Sequence, residues 1–137
     1  DFTDAIREFS SQGKPVFGTC AGLIVLADKL EGDEEPHLRL MDMTVARNAF
    51  GRQRESFETD LDVKGIDTPL RAVFIRAPLI KEVGPEVDVL STYKGEIVTA
   101  RQGNLLASSY HPELTDDFRL HGYFLDMAKE AAAKRNA

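Results

Sequence analysis

The residues best suited to covalent chemistry lie in the stretch Gly18-Thr19-Cys20-Ala21-Gly22, which holds the only cysteine of the chain. An apolar run precedes this stretch and a helix-like apolar run follows it, which is the setting of a nucleophile elbow. Such a turn strains the backbone of its central residue and needs small flanking residues. The start of a helix favours a thiolate at Cys20, and the amide of Ala21 would face a developing oxyanion. An inert buried cysteine is the alternative interpretation.

A thiol nucleophile needs a base, and the base needs an acid to orient it. The stretch Ser109-Tyr110-His111-Pro112-Glu113-Leu114 supplies both groups. Pro112 favours an extended backbone at His111, and residues two apart in an extended segment point the same way. We therefore expect the His111 imidazole and the Glu113 carboxylate to lie side by side. Taken alone, the stretch is also compatible with a surface turn, but the elbow makes that interpretation weaker.

The elements around these two stretches predict one α/β domain with a partly parallel sheet. Residues 2–12 have helical apolar spacing and end at a glycine, residues 15–19 form a short apolar run typical of a buried parallel strand, and residues 21–30 predict a buried helix. Residues 116–134 carry an apolar stripe opposite charged residues, which predicts an amphipathic closing helix.

The middle of the chain predicts strands. Six short β-rich runs, separated by Gly, Pro or Asn, follow residue 40. They are "MDMTVARN", "SFETDLDV", "RAVFIRAP", "VDVLSTYKG", "EIVTARQG" and "NLLASSYHP". Tight turns are expected at Lys94-Gly95 and at Gly103-Asn104.

Composition limits the classes of function. The chain has 137 residues and a formal net charge of −6, which fits one domain and argues against nucleic-acid binding. No apolar run approaches the roughly 18 residues of a membrane span. A single cysteine allows no internal disulfide, and the first residues lack a signal-peptide pattern, so we expect a cytoplasmic protein. No residue spacing indicates a metal site, a phosphate loop or a cofactor.

Four separated motifs, in this order, resemble a known enzyme family. They are "FGTCAGLIVLA", "VARNAFGRQRESFE", "AVFIRAPLI" and "SSYHPEL". The first and last are similar to those of the class I, or triad, glutamine amidotransferases. The middle two narrow the resemblance to the glutaminase subunits of pyridoxal 5′-phosphate synthase, the vitamin B6 enzyme. The resemblance extends over essentially the whole chain.

The resemblance implies an α/β, three-layer, flavodoxin-like fold with a mixed sheet, in which residues 1–137 form a single amidotransferase domain. It further implies that Cys20, His111 and Glu113 form a triad that hydrolyses L-glutamine to glutamate and ammonia. No metal or other cofactor is implied.

The same resemblance assigns substrate contacts and a partner. Arg47, Ile75 and Arg76 occupy motif positions that contact glutamine in the family, and an arginine fork suits the carboxylate of glutamine. Without the resemblance, a surface ion pair is the simpler interpretation of each arginine. The family docks on a synthase subunit, a (β/α)₈ barrel that consumes the ammonia. We expect that partner, and neither nucleic acid nor a membrane.

One part of the family pattern is missing from this sequence. Family members begin with a strand, a helix and a Gly-rich loop, and that loop supplies a second oxyanion donor. We therefore expect the first strands to be absent here, and the 137-residue chain alone to be poorly active, because losing one oxyanion donor typically lowers turnover by ~10²–10³.

Two other classes of function remain open. One is a different hydrolase with the same triad, such as a γ-glutamyl hydrolase or a cysteine peptidase. The other is a binding module in which the triad is inactive. Peptide cleavage without glutaminase activity would favour the first, and failure of a glutamine-like electrophile to label Cys20 would favour the second.

Overall fold

The computed structural model describes residues 2–32, 34–47 and 57–135, which form three α-helices, one 3₁₀ turn and nine strands. In chain order they are α1 (Phe2–Ser11), β1 (Val16–Thr19), α2 (Ala21–Leu26), β2 (Ala27–Leu30), β3 (Met41–Ala46), β4 (Phe57–Leu61), β5 (Leu70–Phe74), β6 (Leu79–Val83), β7 (Asp88–Tyr93), β8 (Glu96–Gln102), β9 (Leu105–Ser108), the 3₁₀ turn Pro112–Leu114 and α3 (Arg119–Arg135).

Seven of these strands form one mixed sheet in the order β1-β9-β8-β6-β3-β2, with β7 paired to β8. β1 runs parallel to β9, whereas β8 is antiparallel to β6, β7 and β9. β4 and β5 form a separate antiparallel pair. The parallel pairing of β1 with β9 matters most for the site, because it brings their carboxyl ends to the same edge of the sheet.

Apolar side chains cover both faces of the sheet. Leu105 and Ala107 of β9 belong to one buried cluster with α2, and Leu106, between them, belongs to a second cluster with α3. Alternate residues of a strand point to opposite faces. Helices therefore pack on both faces, which confirms the α/β, layered architecture predicted from the sequence.

The helix predicted over residues 21–30 is correct only in its first part. α2 ends at Leu26, Ala27 is extended (φ −67°, ψ 142°), and residues 27–30 form β2, which runs parallel to β3. A continuous apolar run is compatible with a buried helix and with a buried strand. Backbone pairing with β3, between residues 14 to 15 positions apart, decides in favour of the strand.

The other predicted helices and strands are present in the structure, although some begin or end at different residues. The six β-rich runs contain β3, β4, β5, β7, β8 and β9, and both predicted turns join strands of the sheet. β6 was not predicted from the sequence. The closing helix begins at Arg119 rather than at residue 116, because residues 112–118 first complete the 3₁₀ turn and a bend.

Candidate active site

Cys20 occupies a strained turn between β1 and α2. Its φ of 50° and ψ of −104° lie in a region that non-glycine residues rarely adopt. Its amide donates a hydrogen bond to the carbonyl of Ser108, with an N–O distance of 2.9 Å, which continues the ladder between β1 and β9 by one residue. Strain of this kind persists where the surrounding structure fixes it, and it is frequent at functional sites.

Only one of the two flanking glycines is required by close packing. A Cβ atom on Gly18 would lie 2.6 Å from the carbonyl oxygen of Gly22 and 2.8 Å from a methyl group of Leu26. A Cβ atom on Gly22 would meet no described atom within 4 Å. The space around the turn therefore requires a small residue at Gly18, as expected, but does not require one at Gly22.

This asymmetry predicts opposite effects on stability for two matched substitutions. Gly18→Ala is expected to lower the free energy of unfolding by about 2 kcal/mol, because the new methyl group overlaps backbone atoms. Gly22→Ala is expected to leave that free energy unchanged or to raise it by up to about 1 kcal/mol, because alanine is the better helix former. Denaturant unfolding of the two variants measures the difference, and equal losses of stability would contradict it.

His111 lies on the segment that follows β9, the strand that pairs with β1. Thr19 aligns with Ser108 at the carboxyl ends of β1 and β9, and His111 follows three residues after that end. The amide of His111 donates to the carbonyl of Val73 in β5 at 2.8 Å. The segment of His111 therefore joins the large sheet, through the hydrogen bond from Ser109 to Val98, to the β4–β5 pair.

Buried hydroxyl groups fix the segment that carries His111. The Tyr110 hydroxyl lies 2.7 Å from Oγ1 of Thr99, which lies 2.5 Å from Oγ of Ser91. Oγ of Ser108 donates to the carbonyl of Tyr110 at 2.8 Å. All four side chains are buried, so their hydrogen bonds replace water and hold the segment in one conformation.

His111 and Glu113 form a close pair. Nδ1 of His111 lies 2.7 Å from Oε2 of Glu113, so the two side chains lie side by side as predicted. The backbone differs from the prediction, because only His111 is extended and Glu113 belongs to the 3₁₀ turn Pro112–Leu114. Partial burial acts to raise the pKa of Glu113, but hydrogen bonds from its own amide and from His111 outweigh that effect and hold it below the usual value. The carboxylate is thus ionised at neutral pH and can orient and stabilise a protonated imidazole.

The Cys20 thiol is protonated in this arrangement. Its Sγ donates to the carbonyl oxygen of Ser109 at 3.0 Å, and only 8% of the residue is exposed. Burial, and secondly the negative charge of Glu113, raise the pKa of the thiol to about 12. Burial therefore outweighs the helix start, and the thiolate that the helix start was expected to favour is not the resting form.

Ala21 is the first residue of α2. An amide at this position has no acceptor within its own helix, so its N–H is available to an oxygen placed next to Cys20. This geometry suits the oxyanion role predicted for Ala21, which remains a prediction.

The predicted substrate residues lie at one edge of the sheet. Arg47 follows β3 directly, and Ile75 and Arg76 follow β5. Ile75 and Arg76 are exposed, and Arg76 has a positive φ of 46°. The Arg47 guanidinium is paired with Glu34. The remainder of the motif after Arg47, residues 48–56, lies outside the described residues.

Two further residues at the site were not singled out by their sequence. Glu34, in the loop between β2 and β3, binds Arg47, and the Ser109 carbonyl accepts a hydrogen bond from the Cys20 thiol. A backbone carbonyl has no signature in sequence, and a loop carboxylate has no periodicity that could reveal its partner. His121 packs on Phe17 and Phe118, as its position in an apolar stripe predicts.

Residues 1–130 match the SNO glutamine amidotransferase family. Over 130 residues the chain is 75% identical to the pyridoxal 5′-phosphate synthase subunit PdxT of Niallia circulans, and 65% identical to that of Halalkalibacterium halodurans. Both alignments cover 95% of this chain. A crystal structure of a glutamine amidotransferase superposes with a TM-score of 0.87 at 49% identity, and the match covers 93% of this chain and 68% of that one.

The chain spans about two thirds of the length of the curated relatives that it matches, 68% of the first and 66% of the second. Within the described residues, no helix is both long and apolar enough to cross a membrane.

Proposed function

The chain belongs to the SNO glutamine amidotransferase family, and on that premise we propose that it carries the catalytic triad of a glutaminase that hydrolyses L-glutamine to glutamate and ammonia. The observation that supports this proposal is the parallel pairing of β1 with β9, which brings the strained Cys20 elbow and the segment of the His111–Glu113 pair to the same edge of the sheet.

The first step is attack of Cys20 on the side-chain amide carbon of glutamine. Because the resting thiol is protonated and donates to Ser109, the Sγ–H bond turns from that carbonyl towards His111, which takes the proton as the carbon–sulfur bond forms. Glu113 stabilises the resulting imidazolium. The amide of Ala21 donates to the oxyanion of the tetrahedral intermediate.

Collapse of that intermediate breaks the carbon–nitrogen bond. The proton held by His111 passes to the leaving nitrogen, ammonia departs, and a glutamyl thioester remains on Cys20. A water molecule then gives a proton to His111 and attacks the thioester carbon. Return of that proton to sulfur releases glutamate and restores the thiol.

A synthase subunit is the proposed consumer of the ammonia. The two most similar relatives described above are named as subunits of pyridoxal 5′-phosphate synthase. Free ammonia is protonated in water at neutral pH, so delivery to a docked partner preserves the nucleophile. We propose a (β/α)₈-barrel partner, as the family resemblance implies, and a reducing cytoplasmic setting, which suits a single catalytic thiol.

The arginines predict glutamine specificity. Arg47→Ala and Arg76→Ala are each expected to raise the KM for glutamine about tenfold or more with little change in kcat, because each removes a charge-assisted contact to the substrate carboxylate. Steady-state ammonia release, measured with the synthase partner present, gives both constants. Arg39→Ala, on the segment before β3, serves as a control for the loss of one positive charge.

A γ-glutamyl hydrolase or peptidase with the same triad is the competing function. It would cleave γ-glutamyl peptides or a protein substrate faster than free glutamine. Cysteine-dependent peptide cleavage without ammonia release from glutamine would overturn the glutaminase proposal.

A further inference from the structure

Arg47 and Arg76 emerge at the same edge of the sheet. β3 and β6 are antiparallel, and Ala46, the last residue of β3, aligns with Leu79, the first residue of β6. Arg47 therefore follows one strand where the segment of Arg76 enters the next. That segment also follows β5, whose Val73 carbonyl holds the amide of His111. Arg47, Arg76 and His111 therefore lie on neighbouring backbone segments.

The guanidinium group of Arg47 is paired with the carboxylate of Glu34. Nε and Nη2 of Arg47 donate to the two carboxylate oxygens of Glu34 at 2.6 and 2.7 Å, a bidentate pairing. Nε2 of His37 lies 3.6 Å from the same carboxylate. The hydrogen bonds from Arg47, above all, hold the pKa of Glu34 below its usual value.

We propose that Glu34 is a placeholder for the substrate: its carboxylate fills the Arg47 fork, and the α-carboxylate of glutamine must displace it to bind there. The inference rests on the proposed glutaminase function. Glu34 and the α-carbon end of glutamine both present a carboxylate. A carboxylate matches a guanidinium in a planar, bidentate geometry.

The pairing is weak enough to be displaced. About half of the Arg47 side chain and a third of the Glu34 side chain are exposed, so solvent screens the charges. Exposed pairs of this kind correspond to roughly a 1.5- to 5-fold effect on a binding constant. Removing the competing carboxylate is therefore expected to improve glutamine binding by a factor within that range.

The test is the KM for glutamine of Glu34→Gln, measured by ammonia release in the complex with the synthase partner. We expect KM to fall about two- to five-fold while kcat is unchanged. Glu35→Gln removes the same charge from the neighbouring exposed position of the loop and should leave KM unchanged. In an Arg47→Ala background, Glu34→Gln should have no effect, because the competition requires the guanidinium.

The possible outcomes distinguish failure of this inference from failure of the proposed glutaminase function. An unchanged KM in Glu34→Gln would mean that glutamine uses another edge of Arg47 or another residue, and would overturn the placeholder. A raised KM would mean that Glu34 supports substrate binding, and would overturn it as well. In both cases Cys20-dependent ammonia release would persist. Absence of that release in the unsubstituted complex would instead overturn the proposed function and this inference together.

Discussion

Replacing Cys20 by alanine is expected to lower the rate of ammonia release from glutamine by a factor of about 10⁴ or more. The residual rate is the one that substrate binding and the oxyanion contacts alone can support. The thiol is the atom that forms the covalent bond, and no other described residue of the site can supply a comparable nucleophile. Discontinuous assay of ammonia, with the synthase partner present, measures the loss.

The fold of the Cys20→Ala variant provides the control. Cys20 is small and buried beside Ser109, so its replacement removes one weak hydrogen bond and little volume. The midpoint of thermal unfolding should stay within a few degrees of that of the unsubstituted protein. Retention of more than a tenth of the activity in a folded Cys20→Ala protein would show that another group attacks the amide.

Replacing Glu113 by glutamine is expected to lower kcat by about 10³-fold or more, by analogy with the loss of the orienting acid in serine-protease triads. A neutral amide cannot stabilise the imidazolium, and its NH₂ group can force the wrong tautomer on His111. Because Glu113 does not contact the substrate carboxylate in this mechanism, the KM for glutamine should change much less than kcat. Steady-state kinetics separates the two constants.

Asp116→Asn is a matched control for that substitution. Asp116 is an exposed carboxylate three residues further along the same segment, so its loss changes the local charge equally without touching His111. Equal effects of the two substitutions on kcat would mean that general electrostatics, rather than the hydrogen bond of 2.7 Å to Nδ1, accounts for the loss.

Local patterns were sufficient to predict the elements that carry the proposed nucleophile and base. A short apolar run followed by Gly-x-Cys-x-Gly specifies a strand, a tight turn and a helix, and the structure has β1, the Cys20 turn and α2 in that order. Likewise, Pro112 next to His111 constrains the backbone, and the close approach of His111 to Glu113 follows from it. Both inferences depend on residues only a few positions apart.

Long-range contacts could not be predicted in the same way. The end of α2 at Leu26 is set by pairing of β2 with β3, which involves residues from a separate part of the chain. The raised pKa of Cys20 depends on burial and on the charge of Glu113, which lies in a distant part of the chain. The Glu34–Arg47 pairing similarly joins two loops that no periodicity connects.

The central claim is that Cys20 and His111 act together on glutamine, and labelling by a diazo-ketone analogue of glutamine tests it most directly. Intact-mass and peptide analysis of the complex with the synthase partner should show one adduct per chain, located on Cys20. The adduct should be absent in Cys20→Ala and formed at least a hundredfold more slowly in His111→Asn. An adduct on another residue, or labelling of Cys20 at an unchanged rate without His111, would contradict the account.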